Sequence, residues 1–433
     1  MKAERTPVIE ATKKIGQKVT LEGWVQTRRD HGKVAFLDLW DYTGLIQIVV
    51  RGGLDEEIKS QTPVRISGTV QERSKETVNP HLPTGKVEIL SDQLEPLGKS
   101  ESQPFDIDSD LQIETFLDHS PLTLRSKKSR AAFRIQAEIA QAFRQFLTGE
   151  GFTEIHTPKI VATATEGGAN LFEIKYFEKQ AFLAQSPQFY KQIMVGVFER
   201  VFEIGPVFRA EPHSTTRHVN EYVSLDMEMG FIDDETDIIK VGHRFMGHLM
   251  TVLKPLEYEF SLFGAKLPEV SSEPLIKTFS ECQQILLKEF NRDITKEPDF
   301  EPGDEKMLGE YFAKKEGTDF VWVTGYPTRK RPFYTKPRDD NREISRGFDL
   351  LFRGMEIITG GQRINDYREL TESIKGRGLK PEDFEYYLEA FRYGMPKEGG
   401  FALGLERLTA RLLGTENIRL TTLFPRDINR LTP

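Results

Sequence analysis

Three stretches of the chain concentrate residues whose types and spacing suit charge recognition. The densest is 208–228, FRAEPHSTTRHVNEYVSLDME. It reads as strand, polar loop, strand. Arg209 and Glu211 sit at alternate positions on the first limb and so share one face of a strand. Arg217 and His218 come from the loop, and Asp226 and Glu228 share a face of the returning limb. Such a hairpin gathers positive charge at one end and carboxylates at the other. That suits a ligand carrying both a polyphosphate and an ammonium group. A solvated hairpin with ordinary ion pairs has the same composition, and the charges alone do not separate the two.

The second stretch is 344–366, ISRGFDLLFRGMEIITGGQRIND. With a tight turn at Phe352-Arg353, Asp349 and Glu356 lie directly across a hairpin on one face. Two carboxylates so placed repel unless a cation lies between them, so a Mg2+ bridge is expected. Gly360 and Gly361 then let the backbone pass close to a ligand, and Arg363 follows. The third stretch, 399–413 (GGFALGLERLTARLL), is a Gly-rich strand running into a helix. Its glycines permit close approach of a planar ligand, on whose face Arg407 can stack. No Walker motif or GxGxxG within a βαβ unit is present, which disfavours the common nucleotide folds. The eight histidines show no zinc-ligand spacing.

These groups need elements to hold them. Segment 186–198 (SPQFYKQIMVGVF) reads as a helix with Ser186 as N-cap and Pro187 at its first position. Gln188 and Lys191 are three apart on one face of it, either a binding pair or an ordinary surface pair. Before it, ATATEGGANLF (162–172) is a loop in which Glu166, beside two glycines, can close over a ligand. An amphipathic helix is expected over 129–150, then a strand interrupted by Pro158, which belongs at an edge or strand end. Near the N-terminus, five strand patterns over 17–98 suggest a small Greek-key barrel of OB type. There Arg28, Arg29 and Phe36 can provide phosphate contacts and a stacking platform for single-stranded nucleic acid. Phe36 as barrel core fits the pattern equally well. Residues 99–128 are polar and irregular and read as a hinge. Region 265–340 shows no assignable chemistry, and its basic segment PTRKRPFYTKPRDD reads as a surface loop.

With 433 residues, two or three domains are expected. The 38% hydrophobic and 29% charged composition is that of a soluble globular protein, with no membrane-length apolar run and no secretory leader. The single cysteine, Cys282, excludes an intrachain disulfide. A cytoplasmic protein is the simplest reading. The net charge of −8 neither supports nor excludes nucleic-acid binding, which depends on a local basic surface.

Together these stretches resemble a class II aminoacyl-tRNA synthetase (subclass IIb), of the archaeal aspartyl type. The resemblance covers nearly the whole chain: the barrel, the helix–strand with its proline (133–158), FRAEPHSTTRH…DME, GLERL and the closing LFPRDINRLTP. It implies an α+β fold: an OB-type anticodon-binding domain at 1–103, a hinge at 104–128, and a catalytic domain at 129–433. The catalytic domain would hold a six-stranded antiparallel sheet flanked by helices, with a variable region at about 265–340. It implies a homodimer meeting through the first signature.

The implied reaction joins L-aspartate to ATP as aspartyl-adenylate and then transfers it to the 3′ end of tRNA(Asp). By motif, Arg209 would hold the α-phosphate and Glu211 the adenine amino group or the tRNA end. Arg217 and His218 would hold the outer phosphates, with Tyr222 and Arg407 on either face of adenine. Asp349, Glu356 and Thr359 would bind Mg2+. Glu166 and Asp226 would take the substrate ammonium, Gln188 would hold the substrate, and Lys191 with Arg363 would clamp its side-chain carboxylate. Ala402 replaces a glycine usual in the third signature, and Asn170 an acidic loop residue. In the barrel, Phe36 would stack on the central anticodon uridine, Gln47 and Glu88 would read bases, and Arg28 would meet the stem-loop. Gln26 stands where some archaeal enzymes restricted to tRNA(Asp) carry Trp, which extends the expectation to tRNA(Asn).

Lys191 separates this reading from asparaginyl enzymes, which lack it, and from lysyl enzymes, whose substrate it would repel. The intact barrel weighs against a tRNA-independent asparagine synthetase. The intact Arg209, Asp349, Glu356 and Arg407 weigh against a non-catalytic nucleic-acid-binding paralogue.

Overall fold

A computed structural model describes residues 4–163, 170–212 and 215–433. The chain divides into two compact units, Met1–Ser109 and Asp110–Pro433.

The first unit contains β1 (Lys18–Asp30), β2 (Val34–Asp41), β3 (Gly44–Arg51), β4 (Pro63–Glu72) and β5 (Val87–Pro96). They close into a barrel in the order β1-β2-β3-β5-β4, with β3 and β5 parallel. The period-2 pattern of β2 turns Ala35, Leu37 and Leu39 inward, all fully buried. Phe36 and Asp38 therefore face outward, which removes the reading of Phe36 as barrel core. Val8 and Ala11, from the short helix Val8–Ala11, complete the interior.

The second unit contains β6 (Thr153–Glu154), β7 (Ile160–Val161), β8 (Glu173–Tyr176), β9 (Lys179–Leu183), β10 (Arg200–Phe208) and β11 (Glu221–Gly230). It continues with β12 (Ile276–Thr278), β13 (Phe320–Thr324), β14 (Gly347–Phe352), β15 (Glu356–Gln362) and β16 (Glu398–Gly404). Among the described residues the main sheet runs β12-β13-β14-β15-β16-β11-β10-β6. Its six central strands are antiparallel, as the resemblance implies. A short parallel strand is added at each edge. β7, β9 and β8 form a separate small sheet, and Pro158 lies between β6 and β7, where its missing donor disturbs no ladder.

Helices Lys127–Gly149 and Glu235–Leu253 cover the main sheet. Ser126 caps the first through its side chain, which accepts from the Ser129 amide. Phe143 anchors the layer, its ring edge-on to Phe202 of β10 and to Phe245 at centroid distances of 6.0 and 5.1 Å. The strand glycines allow close packing within the sheet, and Gly360 also lines a cavity. A Cβ on Gly360 would lie 2.6 Å from the Gly400 carbonyl and from the Phe348 ring, and one on Gly400 would lie 2.0 Å from the Met227 carbonyl.

One stretch differs from expectation. The hinge region 104–128 contains helices Ile113–Asp118 and Ser120–Thr123 within the second unit. Region 265–340 supplies β12 and β13 to the main sheet, with helices Phe279–Phe290 and Pro302–Lys315 packed on them. Among the described residues no helix is long and apolar enough to cross a membrane.

Candidate active site

Helix Gln188–Phe198 has Pro187, rather than Ser186, at its N-cap position. Its turn spacing directs Gln188, Lys191 and Gln192 inward, where they are 4%, 1% and 0% exposed. The surface-pair reading of Gln188 and Lys191 therefore fails. β11 brings Asp226 and Glu228 to the same place, and Arg363 enters just beyond β15. Lys191 Nζ lies 3.0 Å from Asp226 Oδ1 and 3.1 Å from Glu228 Oε2. Arg363 Nε donates to Glu228 Oε1 at 2.7 Å, and its Nη2 donates to the Gly400 carbonyl at 3.0 Å. Ser224 Oγ donates to Asp226 Oδ2 at 2.5 Å.

Two cations and two carboxylates thus meet out of solvent with a formal sum of zero. Burial raises the Glu228 carboxyl, but the charges of Arg363 and Lys191 outweigh it and hold the group below its usual range. Behind it, burial and then the Glu228 charge hold the Glu398 carboxyl well above its usual range. These side chains form the floor of a cavity of about 550 Å³, lined by Gln188, Lys191, Asp226 and Arg363 and also by Arg209 and Tyr222. A smaller hollow of about 80 Å³, lined by Glu211, Arg217, His218 and Arg407, shares Arg209, Tyr222 and Thr359 with it.

The second signature is a loop where the sequence reading extends a strand. β10 ends at Phe208, so Arg209 and Glu211 lie beyond it. Asn220 holds the loop base, its carbonyl accepting from Arg209 N at 2.9 Å and its Nδ2 donating to the Arg209 carbonyl at 2.8 Å. The Arg209 guanidinium lies 5.7 Å from the Tyr222 ring centroid. His218 bonds Thr215 Oγ1 at 2.8 Å and has Nε2 3.9 Å from Glu211. Burial, then the nearby Arg407 charge, lower its pKa, so it stays neutral at pH 7. Arg217 is ion-paired with Glu305 of helix Pro302–Lys315. Arg407, from helix Leu405–Leu413, has Nη1 3.7 Å from Glu356 Oε1. Glu166 lies outside the described residues.

The β14–β15 hairpin corrects the expected register. Its turn is Arg353-Gly354, with φ of +47° and +70°, and Phe352 and Met355 exchange backbone hydrogen bonds. Asp349 pairs across to Thr359, while Glu356 stands opposite Leu351 beyond a bulge. The two carboxylates are therefore not directly opposed. Asp349 instead accepts from Arg331 Nη2 and Nη1 at 2.7 and 3.0 Å, and Thr359 Oγ1 lies 3.1 Å from the same guanidinium. Arg331 stacks on Tyr326 at 4.0 Å.

Arg331 comes from the segment read as a surface loop, and Glu305 from the same motif-free region. Only the folded chain reveals them, since no spacing ties either to the signatures. Burial, then the Asp349 charge, push Glu356 up to about 7. Asp349 is paired with Arg331, Glu305 with Arg217, and Glu356 approaches Arg407; among the described residues no group of three or more His, Cys, Asp or Glu side chains is placed to hold a metal ion. Asp349, Glu356 and Thr359 offer the hard oxygen donors that a divalent cation takes.

In the barrel unit the outward face of β2 carries Phe36 and Asp38. Phe36 is opposite Arg29 of β1 and Val49 of β3. Gln47 and Glu88 are register partners on β3 and β5, with Gln47 Nε2 donating to Glu88 Oε2 at 2.9 Å. Phe36, Gln47 and Glu88 therefore share one surface. Arg28 does not join it: its Nη1 donates to the Ile58 carbonyl at 2.9 Å, and Nη2 pairs with Asp30 at 3.2 Å. Arg29 takes that place. Gln26 is buried, and its Nε2 donates to Asp108 Oδ2 at 2.8 Å.

The second unit thus joins a buried floor of paired charges to a hollow edged by arginines, and the barrel carries an outward-facing phenylalanine. The family model for class II tRNA synthetases (D, K and N) matches 112–428, and that for the OB-fold nucleic acid binding domain matches 19–97. The chain belongs to the class II tRNA synthetases of the D, K and N group.

Within that group it is 47% identical to the "Aspartate--tRNA(Asp/Asn) ligase" of Deinococcus radiodurans, over 99% of each chain. It is 45% identical to the ligase of the same name from Thermus thermophilus, over 97% of each. Asparaginyl-tRNA synthetase of Pyrococcus horikoshii, solved with asparaginyl-adenylate, superposes with a TM-score of 0.90 at 31% identity, covering 99% of this chain and all of the other.

Proposed function

We propose that the chain is an aspartate–tRNA ligase, forming aspartyl-adenylate and pyrophosphate from L-aspartate and ATP and passing the aspartyl group to tRNA. The observation that carries the substrate choice is the buried set Lys191, Asp226, Glu228 and Arg363. Aspartate brings an ammonium to Asp226 and a side-chain carboxylate to Lys191 and Arg363. The charge sum at the floor stays zero, and the α-carboxylate is left facing Arg209 and the smaller hollow, where ATP binds. Asparagine brings the ammonium without the second carboxylate, and lysine brings two cations. Either leaves a surplus charge in a dry site.

In the adenylation step the α-carboxylate oxygen attacks the α-phosphorus and pyrophosphate leaves. Arg209 stands where charge grows at that phosphorus, between the two cavities. Tyr222 and Arg407 flank the hollow that takes adenine. Glu211 takes the adenine amino group or the tRNA end. Arg217, once it exchanges Glu305 for phosphate, and His218 hold the outer phosphates. Asp349, Glu356 and Thr359 would hold Mg2+, which offsets the charge of the triphosphate. Gln188 and, from the loop, Glu166 complete the aspartate site.

The barrel face of Phe36, Gln47 and Glu88 takes the anticodon. The working unit is a cytoplasmic homodimer joined through the first signature. ATP–pyrophosphate exchange with aspartate, asparagine and lysine tests the assignment. Exchange with aspartate alone is expected; exchange driven by asparagine, or by none of the three, would reject it.

A second reading concerns tRNA scope. The relatives from D. radiodurans and T. thermophilus carry names that include tRNA(Asn), and Gln26 is not the Trp of restricted enzymes. We therefore extend the proposal to tRNA(Asn). Charging of both purified transcripts with aspartate is expected, and Gln26→Trp should shift the ratio toward tRNA(Asp). Charging of tRNA(Asp) alone would confine the enzyme to it.

A further inference from the structure

Behind the pocket floor three buried polar side chains that the adenylation chemistry does not use directly join a fourth, Gln188, which lines the cavity. Glu398 of β16, Gln192 of helix Gln188–Phe198 and Tyr387 of helix Glu385–Arg392 are fully buried, and Gln188 is 4% exposed. Gln192 Nε2 donates to Glu398 Oε1 at 2.6 Å. Gln192 Oε1 accepts from the Tyr387 hydroxyl at 3.0 Å and from Gln188 Nε2 at 2.9 Å. An amide has a donor end and an acceptor end, so each bond fixes the sense of the next. A carboxyl oxygen at Glu398 demands the donor end of Gln192. The Tyr387 hydroxyl donates to the acceptor end that remains. That acceptor then takes the Nε2 of Gln188, which leaves the Gln188 carbonyl oxygen for the cavity.

We propose that Glu398, Gln192 and Tyr387 are positioning residues that lock the Gln188 amide with its oxygen toward the substrate, so that it accepts a hydrogen bond from the α-ammonium. The inference rests on the aspartate reading of the pocket and deepens it. It assigns the recognition of the amino group, rather than of the carboxylates, to a relay reaching three elements deep. The second oxygen of Glu398 has no donor aimed at it and lies beside Glu228. A neutral carboxyl there donates toward Glu228 and still accepts from Gln192, and a glutamine amide can do both.

The test compares aspartate with succinate, which has the same two carboxylates and no ammonium, as a competitive inhibitor of ATP–pyrophosphate exchange. Gln192→Met is expected to raise the aspartate KM about 10-fold, the scale of one lost buried hydrogen bond, with succinate Ki and ATP KM unchanged. Tyr387→Phe keeps the ring stacked on Phe189 (centroids 4.5 Å apart) and is expected to give about a 3-fold rise. Glu398→Gln should stay near wild type, whereas Glu398→Leu should match Gln192→Met. Equal weakening of aspartate and succinate, or no change in aspartate affinity, would overturn the relay. A wild-type enzyme that shows no aspartate-dependent exchange would instead overturn the underlying reading. If Gln192→Met does not fold, Tyr387→Phe and Glu398→Leu decide the matter by the same comparison.

Discussion

At the scale of single residues the floor is a balance of desolvated charges, and removing one member exposes the others. Lys191→Met leaves Asp226 and Glu228 with Arg363 as their remaining buried cation. Breaking such a set costs about 3–5 kcal/mol. Urea unfolding should show that loss, and aspartate-dependent exchange should fall at least about 100-fold. Glu406 gives a pH signature of the opposite kind. Its oxygens accept from Val223 N at 3.0 and 3.2 Å, yet burial dominates and pushes its pKa from 4.5 to about 7. The folded chain thus holds this proton more tightly than the unfolded chain. The contribution is complete below pH 4.5 and is lost as pH rises through about 7, by roughly 3 kcal/mol in all. Glu406→Gln should remove this slope, so the stability difference between wild type and variant should change between about pH 4.5 and 7 and be flat above. Lys191 and Gln188 were legible in the sequence because helical spacing pairs them. Their burial was not, since it depends on β11 and β16 arriving from more than 30 and 200 residues away.

At the scale of elements, strands and helices follow from period and punctuation, whereas register depends on local backbone detail. The alternation of β2 places Phe36 outward without ambiguity once a barrel interior exists. The β14–β15 hairpin shows the opposite case. Neither the bulge nor the left-handed Arg353 has a composition signal, so the sequence puts Asp349 opposite Glu356 and the fold puts it opposite Thr359. The second turn residue carries the consequence. Gly354 has φ +70°, and a Cβ there would lie 2.8 Å from Lys306 Cα and 3.0 Å from the Glu305 carbonyl. Gly354→Ala therefore strains the turn and pushes on helix Pro302–Lys315, which holds Glu305 against Arg217. A loss of about 2–4 kcal/mol is expected in denaturant unfolding, with a raised KM for ATP and little change in the KM for aspartate. A variant as stable as wild type would show that the helix does not constrain the hairpin.

At the scale of the whole molecule, the chain forms two compact units with separate cores, and the proposed function divides chemistry and tRNA reading between them, so substitutions on the barrel face should act on one function alone. The sequence made both units legible because each carries its own pattern, five short alternating strands in one and three ordered signatures in the other. It could not place the boundary, since the polar segment before the first long helix conceals two short helices. Phe36 offers the sharpest separation. It is half-buried on the outer face, edge-on to His31 at 6.0 Å, and contributes nothing to the barrel interior. Stacking of a base on an aromatic ring is worth about 1–3 kcal/mol, so Phe36→Ala should raise the KM for tRNA about 10-fold or more. The melting temperature and aspartate-dependent pyrophosphate exchange should stay at wild-type values. Leu37, its fully buried neighbour, supplies the contrast. Leu37→Ala leaves a cavity costing about 2–5 kcal/mol and should weaken tRNA charging by destabilising the barrel itself, with a matching drop in melting temperature. If Phe36→Ala instead lowered exchange and charging equally, the units would be energetically coupled, and the anticodon would be read through the state of the catalytic sheet rather than through binding alone.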